Sequence, residues 1–176
     1  MYEQGELINR AGGLSEDMIQ QNRQLQSDIF SIILRENELD TAIEKLKYVY
    51  SRGMYDVLND EQKKLISQRI EAVNTPWFKF FLAYDPYLAL TKVQCPVLAL
   101  IGDKDLQVPS KANLEAIEKA LTEGGNKNFK IQELKNLNHL FQNCETGAVS
   151  EYGQIEETID PEALRLITNW ISEMVK

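Results

Sequence analysis

Histidine occurs once in these 176 residues, at position 139, and cysteine twice, at 95 and 144. One histidine and two cysteines without close spacing leave no tetrahedral zinc set, and nothing implies an organic cofactor. The opening MYEQGELINR carries Glu3 and Glu6 and no apolar core, so it does not read as a secretory leader. The two thiols are therefore expected to be free, and the chain cytoplasmic. Basic residues are outnumbered, 19 to 27, giving a net charge of −8. That balance argues against a nucleic-acid partner, because phosphate binding needs basic patches. No stretch approaches the roughly 18–20 apolar residues that span a bilayer, so no membrane partner is expected. Internal repeats and low-complexity segments are missing as well.

What is present suits a globular chain of one-domain length: 43% hydrophobic and 26% charged residues. Residues 1–90 read as almost entirely helical. Ser15 is a candidate N-cap for a helix carrying Met18, Ile19, Leu25, Ile29, Ile32, Ile33 and Leu34. Asp40 is expected to cap a second helix, with Ile43, Leu46, Val49 and Tyr50 at helical spacing and Gly53 ending it. A third helix is expected from about Asp60 to Val73. Thr75-Pro76-Trp77 then opens a short aromatic helix whose Trp77, Phe78, Phe80 and Phe81 are expected to pack inward, with a substrate-pocket wall as the alternative.

The pattern changes after about residue 90. Pro96–Gly102 is a short apolar run ending in glycine, which predicts a strand buried on both faces. Residues 110–123 form an amphipathic helix stopped by Gly124-Gly125, and the alternating Phe129–Leu134 reads as a second strand. A long irregular stretch from about 135 to 159 follows, of a length that is usually functional or disordered. Asp160-Pro161 then starts a final helix. The expected fold class is α/β: a mostly helical chain with a small parallel βαβ unit. It divides into a helical region, 1–90, and a βαβ-loop-α region, 91–176.

Asp105 follows the first strand and His139 the second. Parallel strands end on the same edge of a sheet, about 4.8 Å apart, so loops leaving them can meet there. An Asp bonded to one ring nitrogen of a His fixes its tautomer and stabilises the imidazolium during proton transfer. Asp103 is the alternative acid, and a simple Gly-Asp turn is the plainer reading of both. Cys144 offers a conceivable Cys–His pair with His139. Cys95, next to a strand, reads as a small packed hydrophobe.

The run Cys95-Pro-Val-Leu-Ala-Leu-Ile-Gly102, then Asp105-Leu-Gln-Val-Pro109, then helix, strand and Asn138-His139 resembles the C-terminal end of the α/β-hydrolase fold. Gly12-Gly-Leu-Ser15 and Asn138-His-Leu-Phe-Gln142 look like a branch of serine hydrolases close to peptidase and acyl-hydrolase groups. The resemblance implies a catalytic acid at Asp105 and a base at His139, with residues 1–90 as a helical cap. It implies a small acyl, ester or peptide-like substrate.

The family's nucleophile sits in a G-x-S-x-G elbow ahead of these elements. None of the serines here, at 15, 27, 31, 51, 67, 110, 150 and 172, has that setting. The expectation is a hydrolase represented by its C-terminal part, with a triad acid and base but no serine and no activity alone. A shortened gene or a start at Met1 within a longer frame would produce such a chain. The alternatives are an inactive remnant or interaction module, and direct activation of water by His139 and Asp105. A sheet lacking most of its strands is expected to self-associate or to pair with a missing N-terminal part.

Overall fold

A computed structural model describes residues 1–175. It is mostly helical, 61%, with one small parallel sheet of two strands. Contacts divide the chain into two compact units, one Glu16–Tyr84 and the other Met1–Ser15 together with the stretch from Asp85 onward. Among the described residues no helix is long and apolar enough to cross a membrane.

The unit Glu16–Tyr84 is built from helices α2 (Glu16–Arg35), α3 (Leu39–Ser51), α4 (Asp60–Val73) and α5 (Pro76–Ala83). Helix α2 contacts α3 and α5, and α3 contacts α4. Apolar residues at helical spacing supply the interior: Ile29, Phe30 and Ile33 on α2, Ala42 and Leu46 on α3, Ile66 and Ile70 on α4. Helix α4 starts on a capping box, in which the Asn59 side chain accepts from the Gln62 amide at 2.9 Å and Gln62 Oε1 accepts from the Asn59 amide at 3.1 Å.

Two local expectations are corrected here. Glu38, not Asp40, holds the N-cap position of α3, and it makes no side-chain cap bond. Asp40 instead lies in the first turn, where a carboxylate favours the positive end of the helix dipole. The aromatic helix α5 buries much less than expected. Phe78 packs edge-on against Phe30, with centroids 6.0 Å apart, but Trp77 is 68% exposed and stacks on Phe81 at 5.3 Å. A two-turn helix can turn only one narrow side inward, and Phe78 occupies it.

The other unit begins with α1 (Tyr2–Ala11) and resumes with the single turn α6 (Tyr87–Leu90). Strand β1 (Val97–Gly102), helix α7 (Ser110–Glu123) and strand β2 (Phe129–Leu134) then form the βαβ unit. The strands pair parallel, from Val97 opposite Phe129 to Gly102 opposite Leu134. Helix α7 packs against both strands. Helix α8 (Pro161–Met174) begins with Asp160 Oδ1 accepting the amides of Glu162 at 2.7 Å and Ala163 at 3.2 Å. Ala163 of α8 joins Leu134 and Leu137 in a buried cluster, with Leu100, Phe141 and Leu166 against it.

Strand β1 is not buried on both faces along its length. Val97 to Leu100 are half-buried, and only Ile101 and Gly102 are buried. The continuous apolar pattern is that of an interior strand, but among the described residues β1 has one neighbour and its other edge is open. Leu98 and Leu100 therefore border an open apolar groove with Phe141, Ile167, Trp170 and Ile171.

Candidate active site

The loops leaving β1 and β2 interlock before either carries a functional group. The amide of Asp103 donates to the Leu134 carbonyl at 2.9 Å, and that of Lys104 to the Leu137 carbonyl at 3.1 Å. Gly102 makes this crossing possible. A Cβ built on it would lie 2.0 Å from the Leu137 oxygen and 2.6 Å from its carbonyl carbon. Gly147 serves the next layer, since a Cβ there would lie 1.9 Å from the Lys104 oxygen, and its φ of +77° is one that L residues avoid.

Asp105 and His139 meet at this edge, with Asp105 Oδ2 2.9 Å from His139 Nδ1. The aspartate side chain is only 5% exposed, and the imidazole 39%. Asp105 Oδ1 accepts the amides of Gln107 and Val108, each at 2.8 Å, so the carboxylate is gripped on one oxygen and presents the other to the ring. An ionised carboxylate can only accept, so facing one Nδ1 is the donor, and in the neutral ring that tautomer leaves the lone pair on Nε2. Such a pair can orient an imidazole for general-base chemistry, and this ring is partly open to solvent.

Asp103 does a different job. Its Oδ1 accepts the amide of Asn136 at 2.7 Å, and Lys135 reaches its other oxygen at 3.3 Å. It anchors the entry to the His139 loop and makes no bond to the ring. Nearby, Glu133 receives the Ser110 hydroxyl at 2.6 Å and Lys135 at 3.1 Å. The hydroxyl first, and then the ammonium, holds its carboxyl below the ordinary range.

Cys144 is buried. Its amide and its Sγ both reach the Asn136 carbonyl, at 3.0 and 3.5 Å, and burial pushes its thiol up. A buried thiol of raised pKa is a poor nucleophile, and this one is not bonded to His139. Cys95 is exposed rather than packed. Among the described residues, no hydroxyl or thiol is hydrogen-bonded to the His139 ring, and no three His, Cys, Asp or Glu side chains gather as around a metal ion.

The irregular stretch 135–159 is ordered by its own polar groups. Leu137 and Asn143 form an antiparallel bridge. Asn138 and Gln142 pair through their side-chain amides at 3.0 Å, and Gln142 Nε2 donates to the Glu157 carbonyl at 2.9 Å. Lys104 Nζ donates to the Cys144 carbonyl at 2.8 Å, and Gln107 to the Tyr152 hydroxyl at 3.0 Å. Glu151 accepts the Thr146 hydroxyl at 2.6 Å and the Gly147 amide at 3.0 Å. These bonds, the Thr146 hydroxyl foremost, hold its carboxyl below the ordinary range. Sequence reasoning had no role for Asn138 or Gln142. Its only available signal was the turn-forming habit of an Asn beside the lone His.

No family model matches the chain, and no curated protein or solved structure matches it significantly.

Proposed function

We propose that this chain supplies the acid and base of an acyl hydrolase related to the α/β-hydrolases, acting in the cytoplasm on carboxylic esters, thioesters or peptide-like amides. The supporting observation is the Asp105–His139 pair, 2.9 Å apart, on the loops that follow two parallel strands. In this reading a serine outside these residues attacks the carbonyl. His139 Nε2 takes its proton and returns it to the leaving group, while Asp105 holds the ring and stabilises its charged form. The open edge of β1 is where further strands would add, from the segment or chain that carries the serine or from a second copy.

The second reading is a protein that keeps the fold and performs no reaction. It is favoured by one observation, that no hydroxyl or thiol among the described residues bonds to the His139 ring.

The test begins with the coding sequence upstream of Met1 and the adjacent genes, where a G-x-S-x-G segment is expected. Joined or co-expressed with that segment, the chain is expected to hydrolyse p-nitrophenyl acetate and to take a fluorophosphonate label, with hydrolysis abolished by His139→Ala. The chain alone is expected to do neither. An inactive completed protein, or a serine of this chain that labels in a His139-dependent way, would overturn the proposal.

A further inference from the structure

His139 stands at the tip of a tight turn, and among the described residues its own backbone makes no hydrogen bond. Its position is therefore set by its neighbours and by Asp105. The neighbours form a closed ring. The amide of Asn138 donates to the Gln142 carbonyl at 3.0 Å, and that of Phe141 to the Asn138 carbonyl at 3.0 Å, with Phe141 in the left-handed region at φ 55°. Asn138 Oδ1 accepts the amides of Leu140 at 2.9 Å and Gln142 at 3.0 Å. Its Nδ2 donates to Gln142 Oε1. From this ring Gln142 Nε2 ties back to Glu157, and the Asp160 amide donates to the Phe141 carbonyl at 2.7 Å.

Asn138 is fully buried, at 0% exposure. A buried amide is costly unless its groups are bonded, and an apolar residue would fill the space more cheaply. A fully satisfied polar network instead selects one backbone conformation. Here the selected conformation places Nδ1 of His139, at the tip of the same turn, on Asp105.

We infer that Asn138 is a positioning residue: through its bonds to the 140 and 142 amides and its pairing with Gln142, it holds the His139 turn against Asp105. The inference rests on the reading of His139 as the base, and it concerns what sets the geometry of that base.

The single histidine makes the test direct, because one imidazole gives one set of nitrogen and proton resonances. The Nδ1 proton of His139 is followed by exchange with solvent in the unmodified chain over a series of urea concentrations. Its exchange is expected to share the urea dependence of the Leu140 and Gln142 amides. In Asn138→Ala, and in Gln142→Met, that proton is expected to exchange about tenfold faster, the scale of one hydrogen bond. The amides of β1 and β2 should keep their rates. A Nδ1 proton that exchanges independently of those two amides overturns the inference, as does unchanged exchange in either folded variant. If both variants unfold, the unmodified chain decides. A proton found on Nε2 instead of Nδ1 would sink the Asp105–His139 reading along with the inference. An inactive completed hydrolase would leave these exchange data standing.

Discussion

Asp105 turns one carboxylate oxygen to two backbone amides of its own loop and the other to His139 Nδ1, at 2.9 Å. The grip on Oδ1 means that the side chain cannot rotate to follow a moving ring. The pair is therefore oriented by Asp105 as much as by the turn that carries His139.

Asp105→Asn is expected to reverse the histidine tautomer. The amide oxygen would keep the bonds from Gln107 and Val108, which leaves an NH2 facing Nδ1. The ring then has to accept there and carry its proton on Nε2. Loss of the charged acceptor should cost about 1–3 kcal/mol of stability. Nitrogen chemical shifts of the one imidazole report the tautomer. A proton still on Nδ1 in the folded variant would contradict the geometry.

Asp103→Ala separates the two aspartates. It removes the acceptor of the Asn136 amide and the Lys135 partner, and leaves Asp105 untouched. A stability loss of about 0.5–1.5 kcal/mol is expected with the Nδ1 tautomer retained. Urea unfolding and the same nitrogen spectrum measure both. A switched tautomer would show that Asp103 also orients the ring.

Gly102→Ala should be among the most damaging small substitutions. The new methyl would meet the Leu137 carbonyl at 2.0 Å, on backbone that is itself bonded to Lys104. A cost at or above the upper end of about 1–3 kcal/mol is expected, with the His139 resonances displaced. Gly153→Ala is the control, since a Cβ there has no neighbour within 4 Å, and its effect should stay within about 0.5 kcal/mol. Equal urea midpoints for the two variants would disprove the crossing argument.

The Glu151 loop should loosen in acid. Its folded carboxyl lies below the ordinary value of 4.5, the Thr146 hydroxyl being the main cause. A depressed carboxylate contributes stability that is fully present above the ordinary value and is lost as pH falls through the lower, folded one. Amide exchange at Thr146 and Gly147, corrected for intrinsic rates, should lose protection across that acid range. Glu151→Gln should show weaker protection already at neutral pH. Protection unchanged down to the acid unfolding of the sheet would refute this.

Much of the secondary structure was legible because its signals are local. Asp160-Pro161 starts α8, Gly124-Gly125 follows the last turn of α7, and the alternation over 129–134 spans β2. The Asn59–Gln62 capping box and the shift from Asp40 to Glu38 at the start of α3 were not read, because several residues there can each fill a cap position. The placement of Asp105 and His139 after parallel strands was legible from topology. The choice of Asp105 over Asp103 as the ring's partner followed only from resemblance until both were seen in place.

By itself the sequence determined most of the elements, their order and the residue types at the sheet edge, since these depend on periodicity, caps and breakers within a few positions; the short helices α1 and α6 carried no such signal. Tertiary structure decided the division of labour among those residues. Of two aspartates two positions apart, Asp103 takes an amide from the loop after β2, whereas Asp105 takes two from its own loop and faces the ring. Asn138 is a buried hub of a turn that Glu157 and Asp160 hold from one side, while Lys104 bonds the residue just before it. The half-buried state of β1 depended likewise on how many strands stand beside it, a long-range quantity that no local pattern carries.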